Sequence, residues 1–250
     1  MNLMSSYAIP RRKYIMHSAH PAVGVSIALR AYQFQRAAVR PRKVCAVAGP
    51  KDQPLAALAQ NYFADFFGDN YAVDWNCHAI KAKGMPVEDI NPHDMDCLIL
   101  FGHPEMMNGK ALERIHDYWQ CGGSLVAIRI VDFALHGGSD FAGEIFGGEY
   151  HYDHLLQPTK ISVLNDAGHH PLLRGVQPFI SRGGLHRYDL LLSEATPILF
   201  GTAGGETLPV AWVRSRRGRR VFATTLGSPA DFRHPYFLRL LANAIVWTAR

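Results

Sequence analysis

The chain has 250 residues, 48% apolar and 19% charged, a mix that excludes general disorder and supports a sizeable core. No apolar run reaches the roughly 18 residues that a membrane-spanning helix needs. The net charge of +5 is uneven: residues 1–43 hold eight basic side chains and no carboxylate, whereas residues 44–250 hold 18 basic against 21 acidic ones.

The basicity therefore marks a leader, residues 1–42, and the body is mildly acidic, which argues against nucleic acid as a partner. In the leader, Arg11-Arg12 precedes an apolar-leaning stretch from Ala22 to Ala31 that Arg30 interrupts. A cytoplasmic location is the expectation, with export through this weak twin-arginine-like leader as the alternative. The four cysteines, Cys45, Cys77, Cys97 and Cys121, lie 20 or more residues apart. They form neither a zinc-finger spacing nor a disulfide framework, and Cys45 and Cys97 read as buried thiols.

Lys43–Gly49 is a short apolar run closed by Gly-Pro, the form of a first buried strand. Asp52 can cap a helix over 53–67, where Leu55, Leu58, Ala59, Tyr62, Phe63, Phe66 and Phe67 recur at helical spacing before Gly68. Tyr71–Trp75 alternates like a second strand, and Asp96–Gly102 is a third, apolar throughout and so buried on both faces. Asn108 caps a helix with Leu112, Ile115, Tyr118 and Trp119 as its inner stripe, Gly122-Gly123 ends it, and Ser124–Ile130 is a fourth strand. Strand, helix, strand, helix, strand with short links predicts a parallel sheet covered by helices. Further strands are expected at Lys160–Leu164, Ile198–Phe200, Val210–Arg214 and Arg220–Thr225. The last two are joined as a hairpin by Ser215–Arg219, and a final helix spans about Pro235–Thr248. The five arginines between Arg214 and Arg220 read as a solvated hairpin tip.

Several stretches in order resemble one family. They are Asp96-Cys-Leu-Ile-Leu-Phe, Gly122-Gly-Ser-Leu-Val-Ala-Ile, Phe146-Gly-Gly-Glu-Tyr-His-Tyr-Asp-His154 and His169-His-Pro-Leu-Leu-Arg-Gly175. They continue through Pro209-Val-Ala-Trp212, Gly218–Gly227, Asp231-Phe and His234-Pro-Tyr-Phe. Together they resemble the ThuA-like (trehalose-utilisation) family, whose fold is that of the class I glutamine amidotransferases. The resemblance covers residues 43–250 and leaves the leader without a counterpart. It implies a single α/β domain with a doubly wound, flavodoxin-like, mostly parallel sheet and helices on both faces. It also implies a role in catabolism of trehalose or keto-sugars, with a small-molecule carbohydrate as partner. Association into a homo-oligomer is expected.

Glutaminase chemistry needs a Cys on a tight turn after a strand, with a His to take its proton. After the Leu125–Ile130 strand stands Arg129-Ile-Val-Asp132, with no Cys, and where the family reads Gly-His this chain reads Gly227-Ser228. No glutaminase activity is therefore expected.

Ligands of open parallel sheets sit at the carboxyl ends of the strands. That rule selects His103, Arg129, Asp132, Ser228 and Asp231. Arg129 offers a planar fork of donors for substrate, with Asp132 to orient it, and His103, His151 or Asp231 would move protons. His151-Tyr-Asp-His154, with His186 converging, is the densest set of metal-ligand types, so a divalent ion such as zinc is conceivable there. Without helical spacing, the bland alternative is a polar loop of hydrogen-bonded histidines. Tyr152, His154, His186, Trp212 and Ser228 are the candidate substrate contacts; a Trp within a strand is more often core. His169-His170-Pro171 reads as a turn that uses one His as a cap. The expected activity is acid–base chemistry on a sugar by a lyase, isomerase or hydrolase. The alternative is a non-catalytic sugar-binding or assembly subunit that has lost the family's site.

Overall fold

In a computed structural model, the structure describes residues 42–48, 52–68, 73–79, 95–102, 109–131, 139–163, 169–190, 193–216 and 218–249. The leader up to residue 41, His103 and Asp132 lie outside them. Strand β1 (Arg42–Ala48), helix α1 (Gln53–Gly68), β2 (Val73–Ala79), β3 (Cys97–Phe101), α2 (Gly109–Gln120) and β4 (Leu125–Ile128) follow the expected alternation. Next come α3 (Ser139–Phe146), β5 (Gly148–Leu155), β6 (Thr159–Val163), β7 (Phe179–Ser181) and β8 (Leu185–Leu190). The chain closes with β9 (Ala195–Ala203), β10 (Glu206–Arg216), β11 (Arg219–Thr224) and α4 (Pro235–Thr248).

Nine strands form one mixed sheet in the order β2-β1-β3-β4-β11-β10-β9-β6-β7. From β2 to β11 all pairings are parallel, and from β11 to β7 all are antiparallel. Strands β5 and β8 pair separately as an antiparallel ribbon with a register shift between Tyr150 and His154.

The period-two alternation of a strand divides the interior into two cores. Val44, Ala46 and Ala48 of β1 and Cys97, Ile99 and Phe101 of β3 face a core shared with Leu55, Phe63 and Phe67 of α1 and Phe237, Leu241 and Ile245 of α4. Cys45, Val47, Leu98 and Leu100 face the other core, with Tyr118 and Trp119 of α2 and Ile145 and Phe146 of α3. Each fully buried Leu, Ile or Phe contributes about 1.5–3 kcal/mol, so the two cores fix which side each helix occupies. Burial also pushes the Cys97 thiol up to about 12, and Cys97 Sγ lies 3.1 Å from Thr248 Oγ1.

The β10–β11 hairpin forms as expected, with Arg216 opposite Arg219 and exposed, but Arg214, Arg219 and Arg220 are packed and do not belong to a solvated tip; Arg217 lies outside the described residues. Arg219 lies 5.0 Å over the Trp119 ring and donates to the Gln120 carbonyl at 3.0 Å. Arg220 lies 5.2 Å over Trp247 and donates to the Trp247 carbonyl at 2.8 Å. These cations meet the orphan carbonyls at the ends of α2 and α4, which the helix dipole favours. Arg214 is buried against Glu194 and the Glu144 carbonyl. His170 does act as a cap: its Nδ1 accepts the Leu172 N–H at 3.3 Å at the start of a 3₁₀ turn, Pro171–Leu173. Among the described residues, no helix is long and apolar enough to cross a membrane.

Candidate functional site

A cleft of about 500 Å³ opens where β4 and β11 end. Its lining includes Asp52 and Leu55 at the start of α1, Arg129, the segment Thr225–Pro229, the Gly183-Gly184 link and His186.

Arg129 occupies the sharpest point of this wall. It follows β4 directly and has φ of 56°, the only non-glycine with positive φ among the described residues. A left-handed residue with a side chain costs roughly 1–2 kcal/mol, so surrounding structure must enforce it. Two backbone bonds do so: Arg129 N–H to the Leu226 carbonyl at 3.2 Å and Ile130 N–H to the Thr224 carbonyl at 3.2 Å. Two glycines make room. A Cβ on Gly102 would stand 2.5 Å from the Arg129 carbonyl oxygen, and one on Gly227 would meet Ile128 Cγ2 at 2.7 Å and Arg129 Cγ at 2.9 Å.

The guanidinium is held as firmly as the backbone. Arg129 Nη1 donates to Asp52 Oδ1 at 2.7 Å, with side chains 24% and 5% exposed. A charge-assisted bond of this kind orients the cation and neutralises it locally. Asp52 also accepts the Ala56 N–H on its backbone carbonyl, so the carboxylate is carried by the first turn of α1.

His186, on β8, supplies the opposite wall. Its pKa is lowered to about 4, first by burial and then by repulsion from His154 and Arg129, so the ring is neutral at ordinary pH. Tyr150 Oη lies 3.4 Å from its Nδ1, and the His154 ring stacks on it at 5.5 Å. The cleft thus presents a guanidinium paired with a carboxylate, a neutral imidazole and Ser228. This set can hydrogen-bond the hydroxyls or carbonyl of a polar, uncharged ligand, with Leu55, Val131 and Leu226 as apolar surface.

Of the residues expected from sequence, Arg129, His186 and Ser228 converge on the cleft. Asp231 lies behind its wall, buried. His154 adjoins through its stacking on His186, whereas His151 pairs at 2.8 Å with Asp189 on the exposed part of the ribbon. Tyr152 is described only as backbone within β5, and His103 and Asp132 lie outside the described residues. Trp212 is not brought to the cleft. It is fully buried, donates from Nε1 to the Phe146 carbonyl at 2.8 Å and packs 5.0 Å from Tyr188. Among the described residues no group of three or more His, Cys, Asp or Glu is placed to hold a metal ion. From sequence Asp52 reads as a helix cap and Thr225 as the end of a strand, and no local motif marks Gly183-Gly184 as a cleft wall.

A family model described as ThuA, trehalose utilisation, matches residues 57–248. The chain belongs to the ThuA family. The match reproduces the assignment made from the ordered motifs, and solved structures of ThuA-like proteins share the fold. One from Parabacteroides merdae has 15% identity and a TM-score of 0.61, covering 84% of this chain and 90% of that one. One from Bacteroides uniformis has 14% identity and a TM-score of 0.61, covering 84% and 93%. The carbohydrate deacetylase Agd3 has 11% identity and a TM-score of 0.54, over 84% of this chain and 32% of its own. No curated protein matches. In this ThuA chain, the left-handed corner after β4 is Arg129.

Proposed function

We propose that this ThuA-family protein serves carbohydrate catabolism and that the Arg129 cleft binds a saccharide derived from trehalose or a keto-sugar. The observation that carries the reading is the strained, Asp52-held Arg129 facing His186 across a cleft at the carboxyl ends of parallel strands. Strain kept at one side chain needs a reason, and ligand binding by an oriented guanidinium supplies it. The family description supports the substrate class. The parallel half, in the order β2-β1-β3-β4-β11, supports reading the fold as doubly wound and flavodoxin-like.

In this reading Arg129 anchors or polarises a sugar oxygen, and neutral His186 and Ser228 hydrogen-bond neighbouring hydroxyls. Acid–base chemistry on a hydroxyl or keto group would follow, with His103, two residues beyond β3 in the sequence, as the candidate proton carrier. No glutaminase step belongs to it, because a guanidinium is no nucleophile. Binding without turnover is the second reading, favoured by His186: a ring whose pKa is about 4 is a weak base at pH 7.

Calorimetric titration with trehalose and product analysis after incubation with 3-keto-glycosides test both. Saccharide binding that Arg129→Ala weakens by about tenfold or more supports the site. Turnover then decides for chemistry and its absence for the binding reading. No affinity for any saccharide, or equal affinity in Arg129→Ala, overturns both.

A further inference from the structure

Two cleft walls come from strands that share no ladder. Gly183-Gly184 follows β7 at the edge of the sheet, whereas Gly227-Ser228 follows β11, and β10, β9 and β6 lie between those strands. No backbone ladder therefore joins the two walls directly.

One buried carboxylate spans the gap. Asp231 Oδ2 accepts from Ser181 Oγ at 3.0 Å, from the Gly227 N–H at 3.0 Å and from the Ser228 N–H at 2.9 Å. Ser181, equally buried, accepts the Gly183 N–H on its Oγ at 3.1 Å. The Asp231 N–H returns to Ser228 Oγ at 3.4 Å. The walls come so close that a Cβ on Gly183 would lie 3.4 Å from Ser228 Cβ. Charge-assisted bonds are shorter and stronger than neutral ones, and burial removes the water that would compete for these donors.

We propose that Ser181 and Asp231 form a positioning pair that latches the Gly183-Gly184 wall to the Gly227-Ser228 wall and so sets the width of the cleft. The consequence for ligands rests on reading the cleft as a saccharide site. Asp231 then acts through the loop it holds and not as a proton carrier: the oxygen that faces the loop is engaged by three donors. Ser181 acquires a role through the same contacts.

The test uses the full chain and three variants, Ser181→Ala, Asp231→Ala and Asp231→Asn. Amide hydrogen exchange is read at Gly183, Gly227 and Ser228, and trehalose affinity is read by calorimetry. Asp231→Ala should speed exchange at Gly227 and Ser228 by about tenfold or more, and Ser181→Ala should do so at Gly183. Both should weaken trehalose binding by about tenfold, while Asp231→Asn, which keeps an acceptor oxygen for the two amides, should recover most of it. Unchanged exchange overturns the latch. So does faster exchange with unchanged affinity, or an Asp231→Asn variant no better than Asp231→Ala. Should the unmodified protein bind no saccharide, the functional reading falls by itself, and the latch is decided by the three amides. Ser181→Ala, which removes a single hydroxyl, keeps that decision available if Asp231→Ala fails to fold.

Discussion

Two arginine–carboxylate pairs in this domain differ in what they do. Arg214 extends from the middle of the antiparallel half, is 2% exposed, and bonds Glu194 and the Glu144 carbonyl. Its backbone is ordinary strand, paired to Ala195 and Val221. Arg129 stands at a strand end with φ of 56°, is 24% exposed, and bonds a carboxylate on the edge of a cleft. The first pair ties α3 and the β9 approach to the sheet. The second keeps a cation half open at some backbone cost. A buried ion pair by itself says little about function, whereas strain at a partly open one does.

Truncating each arm of this comparison should separate stability from binding. Arg214→Ala is expected to have the largest effect on stability, a loss of about 3 kcal/mol in urea denaturation at pH 7. The Glu144 carbonyl and Glu194 would lose their cation together, and a loss below about 1 kcal/mol would put the pair on a level with surface salt bridges. Gly227→Ala should come next, at about 2 kcal/mol, because φ is +126° and the new Cβ overlaps Ile128 and Arg129. The same denaturation series checks it, and an unchanged midpoint would mean that Arg129 is not clasped.

The third effect is pH-dependent. His186 is held neutral in the folded state, with a pKa of about 4, below that of an unfolded histidine at 6.5. Between those values the unfolded chain binds the proton and the folded chain does not. Stability is therefore lost as pH falls from about 6.5 to 4, by roughly 1–2 kcal/mol once partial exposure is allowed for. His186→Gln should lose less than the unmodified protein across that window, and parallel curves would show that His186 is not the titrating group.

The smallest stability change should come from Arg129→Gly. Relief of left-handed strain, about 1 kcal/mol, offsets most of the lost pair with Asp52, so the midpoint should move by less than about 1 kcal/mol. Trehalose binding should nonetheless fall about tenfold or more. A large stability loss with intact binding would make Arg129 a second Arg214.

Much of the frame was legible in residue patterns. The apolar runs at β1, β3 and β4 and the stripes of α1, α2 and α4 are local signals, because period 2 or 3.6 is written in neighbouring residues. The β10–β11 hairpin was visible for the same reason. Helix α3, the β5–β8 ribbon and three-residue β7 were not, since they are short and held by partners far along the chain. Charge alone places Arg219 and Arg220 in solvent, while their targets are two tryptophan rings and two helix ends; Arg216 is exposed as its charge predicts.

For the site, the strand-end rule singled out Arg129, Ser228 and Asp231. By itself the sequence determined the family, the alternation of strands and helices and the absence of a Cys directly after β4, all of which depend on short-range order. Tertiary structure decided that Asp52, which reads as a cap, is the partner of Arg129, and that Trp212 belongs to the core. It also decided that Ser181 meets Asp231, 50 residues away in sequence. Such contacts depend on how sheet order brings distant segments together, and no local pattern encodes that order.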